Sequence, residues 1–294
     1  MKIGVVGVGV VGGALASYLT KHDHAVTLDD PPRGILGDCS DVEALFICVP
    51  VETIQDKKGR SIQDFSILKA VLKKYEKPMR EKQTPIFIRS TVLPKTCDNL
   101  GKYTKLRIHS MPEFLTERNA DETFCEHEIL CGVSEDPNDL LEMDDLLGKI
   151  FPDKAIHLVS NREAELAKYA HNCLGAIKVN FFNTIAKYAQ RISANYENVL
   201  EGVLLSGYVN REHTQVPGPD GKHGFAGKCF PKDMWALLGE LKRMGLQSGS
   251  VECTMFENYL YRTDWVNDFK SPVISFPEIK LGPNHDPTTL NEKI

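Results

Sequence analysis

The sequence predicts an α/β protein: a doubly wound, mostly parallel sheet, then an all-helical domain joined to it by one long connecting helix. Three observations predict this. Short apolar runs alternate with helical patterns over the first 160 residues, the sequence form of a parallel sheet covered on both faces. A glycine triplet, Gly7-x-Gly9-x-x-Gly12, stands between the first run and the first helix. Residues 162 to 191 then form one uninterrupted helical pattern.

Lys2–Val6 is an apolar strand, and a small-residue helix follows it from about Gly12 to Lys21. Ala25–Leu28 is a second strand ending at Asp29 and Asp30, and Ala44–Val49 a third, closed by Pro50. A helix fits Ile62–Tyr75, and Pro85–Arg89 is a strand ending at Ser90-Thr91. Leu106–His109, Glu128–Val133 and Ala155–Val159 are later strands, with a helix near Asp139–Ile150. In the long helix, Leu166, Ala170, Cys173, Ile177, Phe181, Ile185, Tyr188 and Ile192 recur at three- to four-residue steps, which predicts a core-facing stripe. Thirty residues make a rod of about 45 Å, longer than one small domain needs, so it is expected to bridge domains or form a subunit interface. Glu197–Ser206, Asp233–Met244 and Val251–Phe269 read as helices, and Ser271–Ile294 as an extended tail. The expected division is 1–160, a dinucleotide-binding Rossmann-like domain; 161–270, a helical central and dimerisation domain; and 271–294, the tail.

A chain of 294 residues is long enough for two domains. With 42% hydrophobic and 26% charged residues it reads as globular, and its net charge of −5 argues against a nucleic-acid binder. No apolar run is long enough for a bilayer, and the opening residues lead straight into a strand rather than a secretion signal. Eight cysteines form no CxxC pair and show no metal-ligand spacing with the nine histidines. The expectation is a reduced, cytoplasmic protein without a metal.

Several constellations carry chemistry. The triplet permits a tight turn, close approach of a pyrophosphate, and tight helix–strand packing. Asp29, seventeen residues after Gly12, stands where an acid holds the adenosine ribose, which favours NAD over NADP. Arg33 nearby works against that preference. Lys168 and Asn172 share one helix face at i,i+4, beside the apolar stripe, although a solvated pair would show the same spacing. Ser90-Thr91 and Pro112-Glu113-Phe114-Leu115 follow strand ends, where ligands bind in this architecture and where cap and turn residues also occur. Gly224-Phe-Ala-Gly-Lys-Cys229-Phe-Pro-Lys-Asp233 sets one thiol on a glycine-rich approach with a lysine and an aspartate just beyond. That suits either a nucleophile or a cysteine packed at a helix entry.

The succession GxGxxG, CVP, STVLP, PEFL, the Lys168/Asn172 helix and GFAGKCFPKD resembles the UDP-glucose/GDP-mannose dehydrogenase family from Met1 to roughly Phe269. The resemblance implies oxidation of a nucleotide-sugar primary alcohol to a carboxylate with two NAD. Cys229 would be the covalent nucleophile, Lys168 and Asn172 would stabilise the oxyanion, and Asp233 and Thr91 would position water. Glu113 would assist thioester hydrolysis. Gly7, Gly9, Val10, Val11, Gly12, Asp29, Arg33, Val49, Pro50, Ser90 and Thr91 would hold NAD, and Phe114, Leu115, Arg211, Phe225 and Lys228 the substrate. It also implies a homodimer through the long helix.

This chain departs from the pattern in places. It ends before the family's usual third, nucleotide-gripping domain, and the Asp29–Ala44 connection is short. Met111 replaces a usual asparagine, Ala226 a glycine and Lys228 a serine, and the loop after Arg211 is longer. Two alternatives stand beside this reading: a two-electron dehydrogenase of a smaller hydroxy acid, which needs no cysteine, and a non-catalytic NAD-binding partner subunit.

Overall fold

The computed structural model describes residues 1–58, 60–115, 119–134 and 137–262. The expected tail at 271–294, and the last part of the helix expected to reach Phe269, lie outside the described residues. The chain divides into two compact units, one of residues 1–52 and 63–171, the other of residues 53–62 and 172–294.

In the first unit, β1 (Lys2–Val6), β2 (Ala25–Asp30), β3 (Ile35–Leu36), β4 (Ala44–Ile47), β7 (Ile86–Ile88) and β8 (Ile108–Ser110) form a sheet of order β3-β2-β1-β4-β7-β8. All neighbours are parallel except β3, which pairs antiparallel with β2. A separate parallel pair joins β9 (Ile129–Val133) to β10 (Ile156–Ser160).

Period-two alternation explains why the strands read as unbroken apolar runs. Ile3, Val5, Phe46 and Phe87 face one side and pack with Leu15 of α1 (Val10–Lys21), Phe124 of α4 (Ala120–Glu126) and Leu147 of α5 (Pro137–Ile150). Val6, Leu45, Ile47, Ile86 and Ile88 face the other, against Leu68 and Leu72 of α2 (Ser66–Lys82) and Cys97 of α3 (Thr96–Thr104). A sheet buried on both faces is what a doubly wound fold requires. All eight cysteines are free, and no helix of the described residues is long and apolar enough to cross a membrane.

The strand expectations hold to within one or two residues, but α2 begins at Ser66 rather than Ile62. Residues 61–64 are instead β6, which pairs with β5 (Glu52–Gln55) in a small two-stranded sheet. Asp64 Oδ1 accepts from the Ser66 N–H at 2.8 Å, which turns the chain from strand into helix. The short helices α3 and α4 lack a long apolar period and were not anticipated.

The second unit takes in residues 53–62 and helices. The rod α6 (Asn161–Arg191) runs from the first unit into it, and α7 (Tyr196–Leu204), α8 (Cys229–Arg243) and α9 (Gly249–Tyr261) follow. Thr53 Oγ1 donates to the Lys232 carbonyl at 2.9 Å, tying the small sheet to α8.

One expectation about α6 is corrected. Leu166, Phe181, Tyr188 and Ile192 are 52–63% exposed, so the stripe does not face this chain's core as a whole. The buried face carries Ala164, Tyr169, Cys173, Ala176 and Phe182 together with the polar Asn161, Glu165, Lys168 and Asn172. Polar side chains can line a buried face once each finds a partner, and these four do.

Candidate active site

The glycine loop is set by sterics. Gly7 has φ +87°, and a Cβ there would lie 2.8 Å from the Cys48 carbonyl oxygen. A Cβ on Gly12 would come within 1.9 Å of the Gly7 oxygen, so the close approach of α1 to β1 needs glycine. Gly9, the N-cap of α1, faces open space, and the first turn carries no acidic residue. Partial positive charge with free room before it fits the pyrophosphate of a dinucleotide. Val10 is 43% exposed at this mouth. Val49 is buried, Pro50 is exposed, and Ser90 Oγ donates to the Val49 carbonyl, joining two strand ends of the same crevice.

At the end of β2, Asp29 and Asp30 part company. Asp29 is 2% exposed, and its Oδ2 accepts from Lys74 Nζ at 2.6 Å and Tyr75 OH at 2.7 Å, while Oδ1 is buried without a partner. Asp30 Oδ2 accepts from the Val8 N–H at 2.7 Å and pairs with Arg33 Nε at 3.4 Å.

In the first unit, Lys168 and Glu113 form a buried ion pair, Nζ to Oε1 at 3.2 Å. Burial pushes the Glu113 carboxyl up, but Lys168, the Leu115 N–H and Arg89 outweigh it and hold the group below the usual carboxylate range. The Leu115 N–H donates to Glu113 Oε2 at 2.6 Å, and the Phe114 ring lies 5.5 Å from the ammonium. The Thr91 loop is held by Gln63, whose Nε2 donates to the Thr91 carbonyl at 3.1 Å and to Tyr169 OH at 2.9 Å. Its Oε1 accepts from the Leu93 N–H at 2.8 Å. Further along, Glu165 accepts from the backbone N–H of Lys95 at 2.6 Å and of Cys97 at 2.8 Å. Burial pushes the Glu165 carboxyl up to about 7 despite those two donors.

In the second unit, Asp233 is fully buried; Asn172 Nδ2 donates to its Oδ2 at 2.6 Å and Lys232 Nζ to its Oδ1. Cys229 is exposed at the first position of α8, four residues earlier than the sequence placed that helix. The start had been obscured by Pro231, which a helix tolerates in its first turn, where its missing N–H is not needed. The helix's positive end favours negative charge on that sulfur. Lys228 is exposed beside it, and Phe225 is buried, clamped by Asn258 through its N–H at 2.7 Å and its carbonyl at 2.9 Å. Arg211 pairs with Glu201 and Glu197 of α7.

The structure therefore groups Lys168, Glu113 and Phe114 in one unit and Asn172, Asp233 and Lys232 in the other, with Lys168 and Asn172 one turn apart on α6. Sequence reasoning missed Gln63, Glu165 and Arg89. Only their burial distinguishes them, and burial has no local signature at an isolated polar residue. No group of metal-ligating residues occurs among the described residues.

Comparison with known proteins decides the family. Residues 35–151 match the NAD-binding domain, and residues 162–259 the central domain, of the UDP-glucose/GDP-mannose dehydrogenase family. The chain belongs to that family. A UDP-glucose 6-dehydrogenase of Rickettsia bellii is 32% identical over 232 residues, covering 75% of this chain and 50% of the relative. A putative UDP-glucose 6-dehydrogenase of Bacillus subtilis is 27% identical, covering 81% of this chain and 62% of the relative. The chain thus spans about half the length of the first of these relatives. Among solved structures, a UDP-glucose dehydrogenase from Pyrobaculum islandicum superposes with TM-score 0.74 at 23% identity, over 88% of this chain and 68% of that one. A 3-hydroxyisobutyrate dehydrogenase from Mycobacterium tuberculosis gives 0.65 at 14% identity, over 88% of this chain and 92% of that one. These likenesses show the shared fold. As a member of this family with its NAD-binding domain, the chain has NAD as its cofactor.

Proposed function

We propose that this chain is an NAD-dependent dehydrogenase that oxidises the primary alcohol of a nucleotide sugar, UDP-glucose-like, to the uronic acid through a Cys229 intermediate. Residues 1–160 would hold the cofactor and 161–270 would carry the cysteine loop. The observation that carries the reading is the Cys229–Asp233 turn: an exposed thiol at a helix start, with a fully buried carboxylate one turn on, held by Asn172 and Lys232. NAD, when bound, accepts a hydride, and alcohol to acid requires two such transfers. The Cys229 thiolate adds to the aldehyde carbon, and the carbonyl oxygen takes a proton to give a thiohemiacetal. Loss of the second hydride and of that hydroxyl proton leaves a thioester. Water then adds, the acid departs, and the thiol is regenerated. Lys168 would stabilise the oxyanion in both tetrahedral stages, with Asn172 as a second donor. Glu113, held anionic, would draw a proton from the attacking water, which Thr91 and Asp233 orient.

The setting of this reading is the reducing cytoplasm, and the assembly a homodimer. Leu174, Phe181, Tyr188 and Ile192 support the latter, an exposed apolar series along α6. The experiment is a screen of UDP- and GDP-sugars for NADH release with product mass. Two NADH per acid formed, and loss of acid with Cys229→Ser, support the reading; full turnover in that variant would refute the covalent step. One NADH per substrate, independent of Cys229, would favour the smaller hydroxy-acid reading. Tight NADH binding with no turnover would favour a partner subunit.

A further inference from the structure

The proposed chemistry leaves the charge of Arg89 unused. This residue follows β7, and its N–H donates to the Ile47 carbonyl at 2.9 Å. The β7–β8 register pairs Phe87 with His109 and Ile88 with Ser110, and the Met111 N–H carries the ladder on to the Ile88 carbonyl. Arg89 and Met111 therefore continue the face of Phe87 and His109, with Glu113 two residues beyond Met111. Phe124, which packs with Phe87 and Met111 on that face, has its ring 5.4 Å from the guanidinium. Arg89 is 3% exposed, and its Nε and Nη1 find no hydrogen-bond partner among the described residues.

A cation enclosed in this way needs an anion. Burial works against its charge; the Cys48 thiol, the Glu113 carboxyl and the Cys131 thiol are the groups that act in its favour. Burial pushes both thiols well up, that of Cys48 to about 12, so neither is an anion at neutral pH. Glu113 remains. Lys154, 5.2 Å from the same Phe124 ring, adds positive charge rather than a counter-ion. Glu113 thus serves two cations, Lys168, whose Nζ is 3.2 Å away, and Arg89. A Lys168–Glu113 pair alone is neutral and exerts little field on a third group. With Arg89 the enclosed set carries a net positive charge, in surroundings where water screens little.

We propose that Arg89 is a positioning residue of the reaction: its guanidinium offsets the Glu113 carboxylate, which stays anionic as a base while the Lys168 charge stays available to an oxyanion. The proposal rests on the roles given to Lys168 and Glu113 under the proposed function, and extends them to a residue that acts through both.

The test compares Arg89→Met and Arg89→Lys with the unaltered full chain. Carbon-13 NMR of the glutamate carboxyls, with the Glu113 signal assigned by Glu113→Gln, reads the titration without any need for turnover. Arg89 holds that carboxyl down, so in Arg89→Met it is expected to titrate at higher pH than in the unaltered chain. NADH release from UDP-glucose should show kcat lower by about tenfold at the pH optimum with KM within about threefold, a smaller effect than losing a direct oxyanion donor. The acid limb of the rate profile should move to higher pH with the carboxyl. Arg89→Lys keeps the charge and should keep both the rate and the limb. Stability separates this role from a structural one. Arg89→Met removes a buried cation with unmet donors and leaves Glu113 its Lys168 partner, so its urea midpoint should equal or exceed that of the unaltered chain. An unmoved kcat and acid limb in Arg89→Met overturn the proposal, whatever its stability, and so does a Glu113 carboxyl that titrates unchanged. An unaltered chain that releases no NADH from any UDP- or GDP-sugar overturns the proposed function and this role with it, even where the carboxyl moves.

Discussion

Glu165 offers the most direct test of how the segment between β7 and α3 is held. Its carboxylate, 1% exposed, receives the Lys95 and Cys97 N–H groups at the start of α3, immediately after the Ser90–Leu93 stretch. Burial raises its carboxyl from 4.5 to about 7, with Asp98 adding to the rise and the two N–H donors opposing it. Because the folded value lies above the unfolded one, the stabilisation belongs to the protonated form. It is fully present below pH 4.5 and is lost as pH rises to about 7. A difference of this size corresponds to about 3 kcal/mol between the two ends of that window. Glu165→Gln has the same shape and stays neutral, at the cost of one acceptor oxygen worth about 1 kcal/mol. At pH 5 the variant should match the unaltered chain within about 1 kcal/mol, and at pH 8 it should be more stable by about 1–2 kcal/mol, the difference of those two terms. Urea unfolding followed by far-ultraviolet circular dichroism at pH 5, 6, 7 and 8 measures this. A gap that is the same at pH 5 and pH 8 would refute the argument, as would a variant less stable at pH 8.

Two further predictions concern the loop and the second unit. Gly12→Ala should cost at least about 3 kcal/mol and abolish NADH binding, because its Cβ would fall 1.9 Å from a backbone oxygen. Gly13→Ala, with nothing within 4 Å, should stabilise the helix by about 0.5–1 kcal/mol; thermal melts with NADH titration separate the two. Asn172→Ala removes the amide from a fully buried Asp233 and should lower stability by about 1–3 kcal/mol at neutral pH. Urea unfolding followed by Trp235 fluorescence reads it, and an unchanged midpoint would count against that bond.

What the sequence made legible, and what it hid, divides along physical lines. The strands and the glycine turn were readable because each is a local demand. Strand periodicity records burial on both faces, and Gly7 and Gly12 record contacts that no side chain permits. The β5–β6 pair was missed because four-residue strands are too short to establish a period. The face of α6 was misread for a different reason. Its apolar and buried residues only partly overlap: Cys173 and Phe182 are buried, but hydrophobic spacing also pointed to the exposed Phe181 and Tyr188, while the polar Asn161 and Glu165 went inside. Asn161 shows why: its Oδ1 accepts from the Ser110 N–H at 2.7 Å and its Nδ2 donates to the Ile108 carbonyl at 3.2 Å, supplying β8 with bonds a neighbouring strand would give. Tertiary backbone groups set that need, and they leave no mark on α6 itself.

The same buried face carries the Lys168–Glu113 pair, which separates stability from catalysis. Both side chains are nearly enclosed, 5% and 11% exposed. In such surroundings attraction between the charges competes with the cost of removing them from water, and replacing the pair with neutral groups is often no worse. Removing one partner is different, because it strands the other. Lys168→Met should therefore cost about 3–5 kcal/mol, while Lys168→Met with Glu113→Gln should recover most of that loss. The double variant should then fold, bind NADH and, if Lys168 and Glu113 are the oxyanion donor and the base as proposed, release no acid. A double-mutant cycle in urea measures the coupling, and NADH release measures activity. If Lys168→Met alone cost under 1 kcal/mol, the ion pair would not be a buried, mutually dependent one. If the double variant folded and still turned over, Lys168 and Glu113 would be structural residues and the roles given to them here would be wrong.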